Sequence, residues 1–194
     1  MIWNIVGIVA FVLFLIIAVS YNTEIAQHMD EWAQDTFGHN GFLEPFHVIG
    51  NTSTIINLAL LFGFILIVFK KAWKSMLFTL CSVALANGFN KLLKRFFERP
   101  RPEIEDQLTS YSFPSGHTMG TTVLMLTIAY IINIEFFKTR PKKWLYAIAI
   151  IIVAFVALSR IAGFRHYLTD VCAAFFIGVA FVVLLTNIYK KITQ

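Results

Sequence analysis

Apolar residues along this chain neither alternate nor recur as a narrow helical stripe. They come in six long runs, at residues 2–20, 54–69, 72–90, 117–134, 144–162 and 167–189. A helix needs about 20 mostly apolar residues to cross a bilayer's hydrocarbon. All but the second run reach or approach that length, and the second does so if it recruits residues 51–53. In lipid, a helix satisfies its backbone groups internally. The pattern therefore predicts an all-α integral membrane protein, six transmembrane helices in one bundle, with residues 1–194 as a single domain. No internal repeat, low-complexity tract or flexible linker breaks it. The first run has no basic flank and no small-residue cleavage pattern, so it reads as an anchor rather than a signal peptide.

The stretch between the first two runs has a different period. Ile25, Met29, Trp32, Ala33, Thr36 and Phe37 recur at helical spacing, with Glu24, Gln27, Asp30, Glu31, Gln34 and Asp35 on the other face. Gly38 is a fair stop. This predicts an amphipathic helix over 23–37, lying in the membrane interface or capping the bundle. A helix that covers other helix ends and a lid over a site fit that pattern equally.

Composition agrees with a membrane protein. The chain is 58% apolar and 14% charged, with a mean hydropathy of +0.71, which excludes a soluble or disordered chain. Cys81 and Cys172 both lie inside apolar runs, which excludes a disulfide scaffold and a cysteine zinc site. A net charge of +5 would suggest nucleic acid in a soluble protein. Here the cations sort by side of the membrane, so no nucleic-acid partner is expected. Lys70, Lys71, Lys74, Lys138, Arg140, Lys142, Lys143, Lys190 and Lys191 share one side, which the positive-inside rule makes cytoplasmic. Both termini are then cytoplasmic. Trp73 and Trp144 flank that side as interfacial anchors. The 22–50 loop is outside and contains no Lys or Arg. Lys91, Lys94, Arg95, Arg99, Arg101, Arg160 and Arg165 lie on the outer side, against the rule, and call for a functional reason.

Three outer stretches hold most of the chemistry. Lys94, Arg101 and Pro102 follow the third run. Phe113-Pro114-Ser115-Gly116-His117 enters the fourth. Ser159, Arg160, His166 and Asp170 join the fifth to the sixth. Each suits an oxyanion. Lys94, Arg101 and Arg160 supply fixed positive charge and forks of donors. Ser115, Gly116 and His117 sit at a helix start, where free N–H groups and the dipole favour an anion, and Gly116 lets the backbone come close. His166 and Asp170 are spaced i, i+4 on one face of the sixth helix. A carboxylate on one ring nitrogen leaves the other free to attack. Two histidines with cationic donors make a nucleophile, an acid and a charge clamp. Taken singly, each stretch also has a bland reading: a turn, a surface pair, or a headgroup-binding patch. A metal on His117, His166 and Asp170 is a further alternative. The adjacent cations and the want of a second carboxylate cluster count against it. His28, His39 and His47 lack partners of this kind and read as loop residues.

Together the stretches resemble the type 2 phosphatidic acid phosphatase superfamily, which includes vanadate haloperoxidases and glucose-6-phosphatase. Its pattern is Lys-x6-Arg-Pro, then Pro-Ser-Gly-His, then Ser-Arg-x5-His-x3-Asp. All eleven specified positions are present in order over 94–170. The resemblance implies that His166 attacks phosphorus to form a phosphohistidine and that Asp170 orients it. It implies that His117 protonates the leaving group and then activates water. Lys94, Arg101, Ser115, Gly116 and Arg160 are implied to bind the phosphoryl oxygens, with no metal or other cofactor.

The resemblance also bears on substrate. Family members of this size and layout are bacterial lipid phosphatases, acting on undecaprenyl pyrophosphate, phosphatidylglycerol phosphate or phosphatidic acid. The expectation is a multi-pass protein of the plasma membrane whose site, on the extracytoplasmic side, takes a lipid phosphate among membrane lipids. An outward site favours the polyprenyl carrier, whose pyrophosphate is released outside. Soluble haloperoxidases do not fit six spans. A sugar-phosphate phosphatase of the same superfamily remains an alternative. A six-span transporter is the alternative from another class, opposed by span interiors whose main polar residues are Asn57, Asn87 and Asn90.

Overall fold

The computed structural model describes residues 2–104, 107–140 and 142–193, and its described secondary structure is entirely helical. The elements are α1 (Ile2–Ser20), α2 (Glu24–Phe37), a 3-10 helix (Glu44–Gly50), α3 (Thr52–Lys70), α4 (Trp73–Phe97), α5 (Gly116–Phe136), α6 (Trp144–Ala162) and α7 (Leu168–Thr193). All but α2 and the 3-10 helix are long and apolar enough to cross a membrane.

α5 is the axis of the bundle. Of its apolar window 61% is buried, against 17% for α1. It packs against α3, α4, α6 and α7, while α1 lies along α7. Lipid is as apolar as a leucine side chain, so close packing rather than water exclusion holds such helices together. Gly178 of α7 shows how. A Cβ there would come within 2.9 Å of Thr122 Cγ2 on α5, so only a glycine permits this approach. Trp3 Nε1 donates to Thr186 Oγ1 at 2.9 Å, and Asn187 Nδ2 to Asn4 Oδ1 at 2.9 Å. These bonds bring the two chain ends to one end of the bundle.

The opposite end gathers the C-termini of α1, α4 and α6 and the N-termini of α3, α5 and α7. Phe113 plugs it, fully buried, with its ring centroid 5.0 Å from that of Tyr21 and 4.8 Å from that of Phe97. Such aromatic pairs are each worth about 0.5–1.5 kcal/mol beyond their burial.

Two boundaries, of α4 and α7, differ from the apolar pattern, while α3 takes up the extension that the pattern allowed. α4 runs on to Phe97, so Lys91, Lys94 and Arg95 are helical residues rather than part of a following loop. Lysine and arginine are good helix formers, and their long stems let the helix outlast its apolar stretch. α4 then stops at Glu98, which is left-handed at φ 48, before Pro100 and Pro102. α3 begins at Thr52 after an Asn51 cap. α7 begins at Leu168, so His166 precedes the helix. His166 and Asp170 therefore do not share a helical face; they meet across the helix's first turn. On α2, the buried residues are Ala26, Asp30 and Ala33, whereas Ile25, Met29 and Trp32 are exposed. The face against the protein thus contains an aspartate from the polar side of the periodic pattern.

Candidate active site

His166 follows a tight turn at the end of α6, where Arg160 O accepts the N–H groups of both Arg165 and His166 at 3.0 and 3.2 Å. The ring is 1% exposed. Nδ1 lies 3.2 Å from Asp170 Oδ2, and Nε2 lies 3.1 Å from Arg101 NH1. A carboxylate only accepts and a guanidinium only donates. These two contacts assign the proton to Nδ1 and the lone pair to Nε2. Burial pushes the His166 pKa down to about 3; the Asp170 hydrogen bond opposes that shift without cancelling it. The ring is neutral across the physiological range, with its Nε2 lone pair free of any proton.

Asp170 is fully buried and its carboxylate is saturated. Oδ1 accepts from Arg99 NH1 at 2.7 Å. Oδ2 accepts from Tyr167 N at 3.0 Å, from Ser112 Oγ, and from His166. Its backbone oxygen accepts the Ser115 N–H at 3.1 Å, which ties the start of α5 to the start of α7.

Arg101 spans the mouth. Its Nε donates to Ser110 O at 2.7 Å, NH1 to Arg165 O at 2.5 Å and NH2 to Ser110 Oγ at 3.0 Å. Burial, followed by the charge of Arg165 and offset by that of Asp170, lowers its pKa, and a guanidinium stays charged after such a shift. Lys94 Nζ donates to the carbonyls of Tyr111 and Ser112. Arg160 is 6% exposed, and its buried Nε has no hydrogen-bond partner among the described residues.

The second motif divides its tasks. The Ser115 side chain is the N-cap of α5, accepting from Thr118 N and from Thr118 Oγ1 at 3.1 Å. Its own N–H is spent on Asp170 O, so Ser115 braces the site from behind. Gly116 and His117 border the cavity. A Cβ on Gly116 would lie 3.1 Å from Asn90 Oδ1, while Asn90 Nδ2 donates to Pro114 O at 3.2 Å, which steadies this loop from α4. His117 Nε2 lies 2.9 Å from Asn51 Oδ1, an acceptor, so this nitrogen carries a proton. Asn51, Asn90 and Arg99 therefore belong to the site's framework, though the motifs did not mark them. The sequence signals were the amide of Asn90 at the end of an apolar run and the positive charge of Arg99 on the outer side. Of the remaining histidines, His28 pairs with Glu31 and His39 packs on Phe164, while His47 bonds Glu44 O on the 3-10 helix and lies within electrostatic reach of His117.

A cavity of about 570 Å³ opens beside His117 and His166; Ser115, Arg160 and Asp170 do not line it. At one end it is lined by Lys94, Arg101, Gly116, His117 and His166. From there it descends between α3 and α4 past Ile55, Ala59, Val83 and Leu80. Lys94 and Leu80 are fourteen residues apart on one helix, a distance of about 20 Å. The cavity is cationic at its head and apolar along its length.

The chain belongs to the PAP2 superfamily, whose family model matches residues 75–194. It is a multi-pass membrane phosphatase of that family. It is 29% identical over 193 residues to phosphatidylglycerophosphatase B of Bacillus subtilis (strain 168), covering 95% of each chain. Its structure matches the crystal structure of the transmembrane PAP2 type phosphatidylglycerolphosphate phosphatase from Bacillus subtilis with a TM-score of 0.88 and 28% identity, covering 97% of this chain and 98% of that one. Aquifex aeolicus LpxE shares the fold, with a TM-score of 0.58 and 22% identity over 75% of this chain and 84% of that one.

Proposed function

We propose that this protein hydrolyses the phosphate monoester or pyrophosphate of an amphiphilic lipid at the outer membrane face, through a phosphohistidine and without a metal. One observation carries the reading. A neutral, Asp170-held His166 opens onto a cavity that is cationic at its head and apolar along its length. Such a cavity suits a charged head with a hydrocarbon tail better than a free sugar phosphate.

His166 Nε2 attacks phosphorus, and the N–P bond forms as the bond to the leaving oxygen breaks. Arg101, which donates toward the Nε2 lone pair, transfers its donors to the phosphoryl oxygens as the substrate arrives. Lys94, Arg160 and the Gly116 N–H complete the anion clamp. His117, an imidazolium in the substrate complex, gives one proton to the leaving oxygen and is left as the neutral ring, its Nε2 proton still held by Asn51. It then takes a proton from water, whose oxygen displaces His166 and releases inorganic phosphate. Likeness to phosphatidylglycerophosphatase B supports phosphatidylglycerol phosphate as a substrate; phosphatidic acid and undecaprenyl pyrophosphate offer the cavity the same charged head and apolar tail. The distribution of loop cations supports cytoplasmic termini, an outward site in the plasma membrane, and α2 lying in the outer interface. The shared bundle supports one domain.

The test is phosphate release by the detergent-solubilised protein. The three lipid phosphates should turn over, with or without EDTA, and vanadate should inhibit as an analogue of the pentacoordinate transition state. Glucose 6-phosphate should be a poor substrate. Loss of activity in EDTA, restored by a divalent ion, would overturn the mechanism. Equal turnover of glucose 6-phosphate would shift the reading to a sugar phosphatase.

A further inference from the structure

Arg99 lies outside the motif positions and does not border the cavity, yet it is only 7% exposed. Its NH1 donates to Asp170 Oδ1 at 2.7 Å and to Thr169 Oγ1 at 2.6 Å, and its NH2 donates to Asp30 Oδ2 at 2.8 Å. The guanidinium is sandwiched between the rings of Tyr21 and Tyr167, 4.8 and 4.1 Å from their centroids. Asp30 comes from α2, outside the six spans, and is 3% exposed. It also accepts from Thr169 N at 2.8 Å and from Thr169 Oγ1 at 2.9 Å, capping the first turn of α7 from another helix.

We infer that Asp30 and Arg99 are positioning residues for the nucleophile, forming a relay from α2 through Asp170 to His166. The inference rests on the reading of His166 as nucleophile. Arg99 occupies Asp170 Oδ1 and so presents Oδ2 to His166 Nδ1. The charges support this geometry. Arg99 alone would neutralise Asp170. Shared with Asp30, it leaves one net negative charge over the three groups, to match the positive charge His166 gains as the N–P bond forms. Helix α2 is thus part of the catalytic framework, not a detachable cover.

A double-mutant cycle separates this role from that of a simple brace. Arg99→Lys keeps the charge but loses the fork, and Asp30→Asn keeps the shape but loses the charge. Each should lower kcat for lipid phosphate about ten- to a hundredfold, with KM changed by less than about threefold, because buried orienting partners act on the group they hold. Rapid quench should show slowed phosphoenzyme formation. In an Asp170→Asn background, Arg99→Lys should cost less than about threefold further, since partners in one network do not add. The same loss in both backgrounds, or a loss confined to KM, overturns the relay. Should Arg99→Lys fail to elute as a folded species in detergent, Asp30→Asn carries the same cycle. A His166→Ala variant that still turns over would overturn the nucleophile and the relay together. An inactive His166→Ala with fully multiplicative Arg99 and Asp170 effects overturns the relay alone.

Discussion

Gly50 ends the 3-10 helix that backs onto His117, and a methyl group placed there tests the proposal that His117 is the acid. A Cβ at Gly50 would lie 2.9 Å from His117 Cβ, 3.1 Å from His117 Cδ2 and 2.8 Å from Val156 Cγ1. Carbon atoms in contact sit at about 3.5 Å or more, so the shortfall toward His117 is about 0.6 Å. Val156 is fully buried and has nowhere to go, whereas His117 borders the cavity. The ring therefore takes up most of the movement. A shift of that size stretches the 2.9 Å contact with Asn51 to the edge of hydrogen-bonding range. Displacing a catalytic group by about 1 Å can cost about a hundredfold in rate. Gly50→Ala should accordingly lower kcat for lipid phosphate about ten- to a hundredfold, at a stability cost of about 1–3 kcal/mol typical of overpacking. An aryl phosphate, whose leaving group needs little protonation, should be spared in the first step. The assay compares kcat for both substrates on one detergent-solubilised preparation, with a thermal midpoint as control. Equal losses on the two substrates, or none on either, would refute the assignment of His117 as the acid that Gly50 seats.

Three further outcomes are expected. Rapid quench should trap phosphoenzyme from an aryl phosphate in His117→Ala and none in His166→Ala; phosphoenzyme in the second variant would reverse the two roles. Outside labelling should reach Gly41→Cys and miss Thr139→Cys, and the opposite pattern would invert the topology. The buried His166 ring has a pKa of about 3 against 6.5 for a free imidazole, so as pH falls the unfolded chain binds that proton first. Its contribution to stability is therefore complete above pH 6.5 and is lost toward pH 3, by about 1.4 kcal/mol per unit in between. His166→Gln should flatten the thermal midpoint between pH 6.5 and 5, and an unchanged slope would show that the ring titrates normally.

The six spans were legible along the chain because hydrocarbon thickness demands long apolar runs and admits few substitutes. The family was legible because each of its motifs packs its chemistry into a few neighbouring residues: Lys94 with Arg101, Pro114 with His117, Arg160 with His166 and Asp170. What pattern could not reveal was opposition. Asp30 falls on the polar face of its own helix, where period alone reads it as facing water. Packing instead sets it against Thr169, 139 residues away, and against the Arg99 guanidinium. Asn51 stands at the start of one helix and turns its side chain to the imidazole of another. The i, i+4 spacing of His166 and Asp170 implied contact on a helix face, whereas the contact forms across a helix start, because α7 begins only at Leu168. Ser115 had the residue type of a phosphate ligand, but its N–H is consumed by Asp170 O once α5 and α7 meet. Periodicity reports where a side chain points on its own helix. Which charge stands opposite it, and whether water is shut out between them, is decided only when the helices pack.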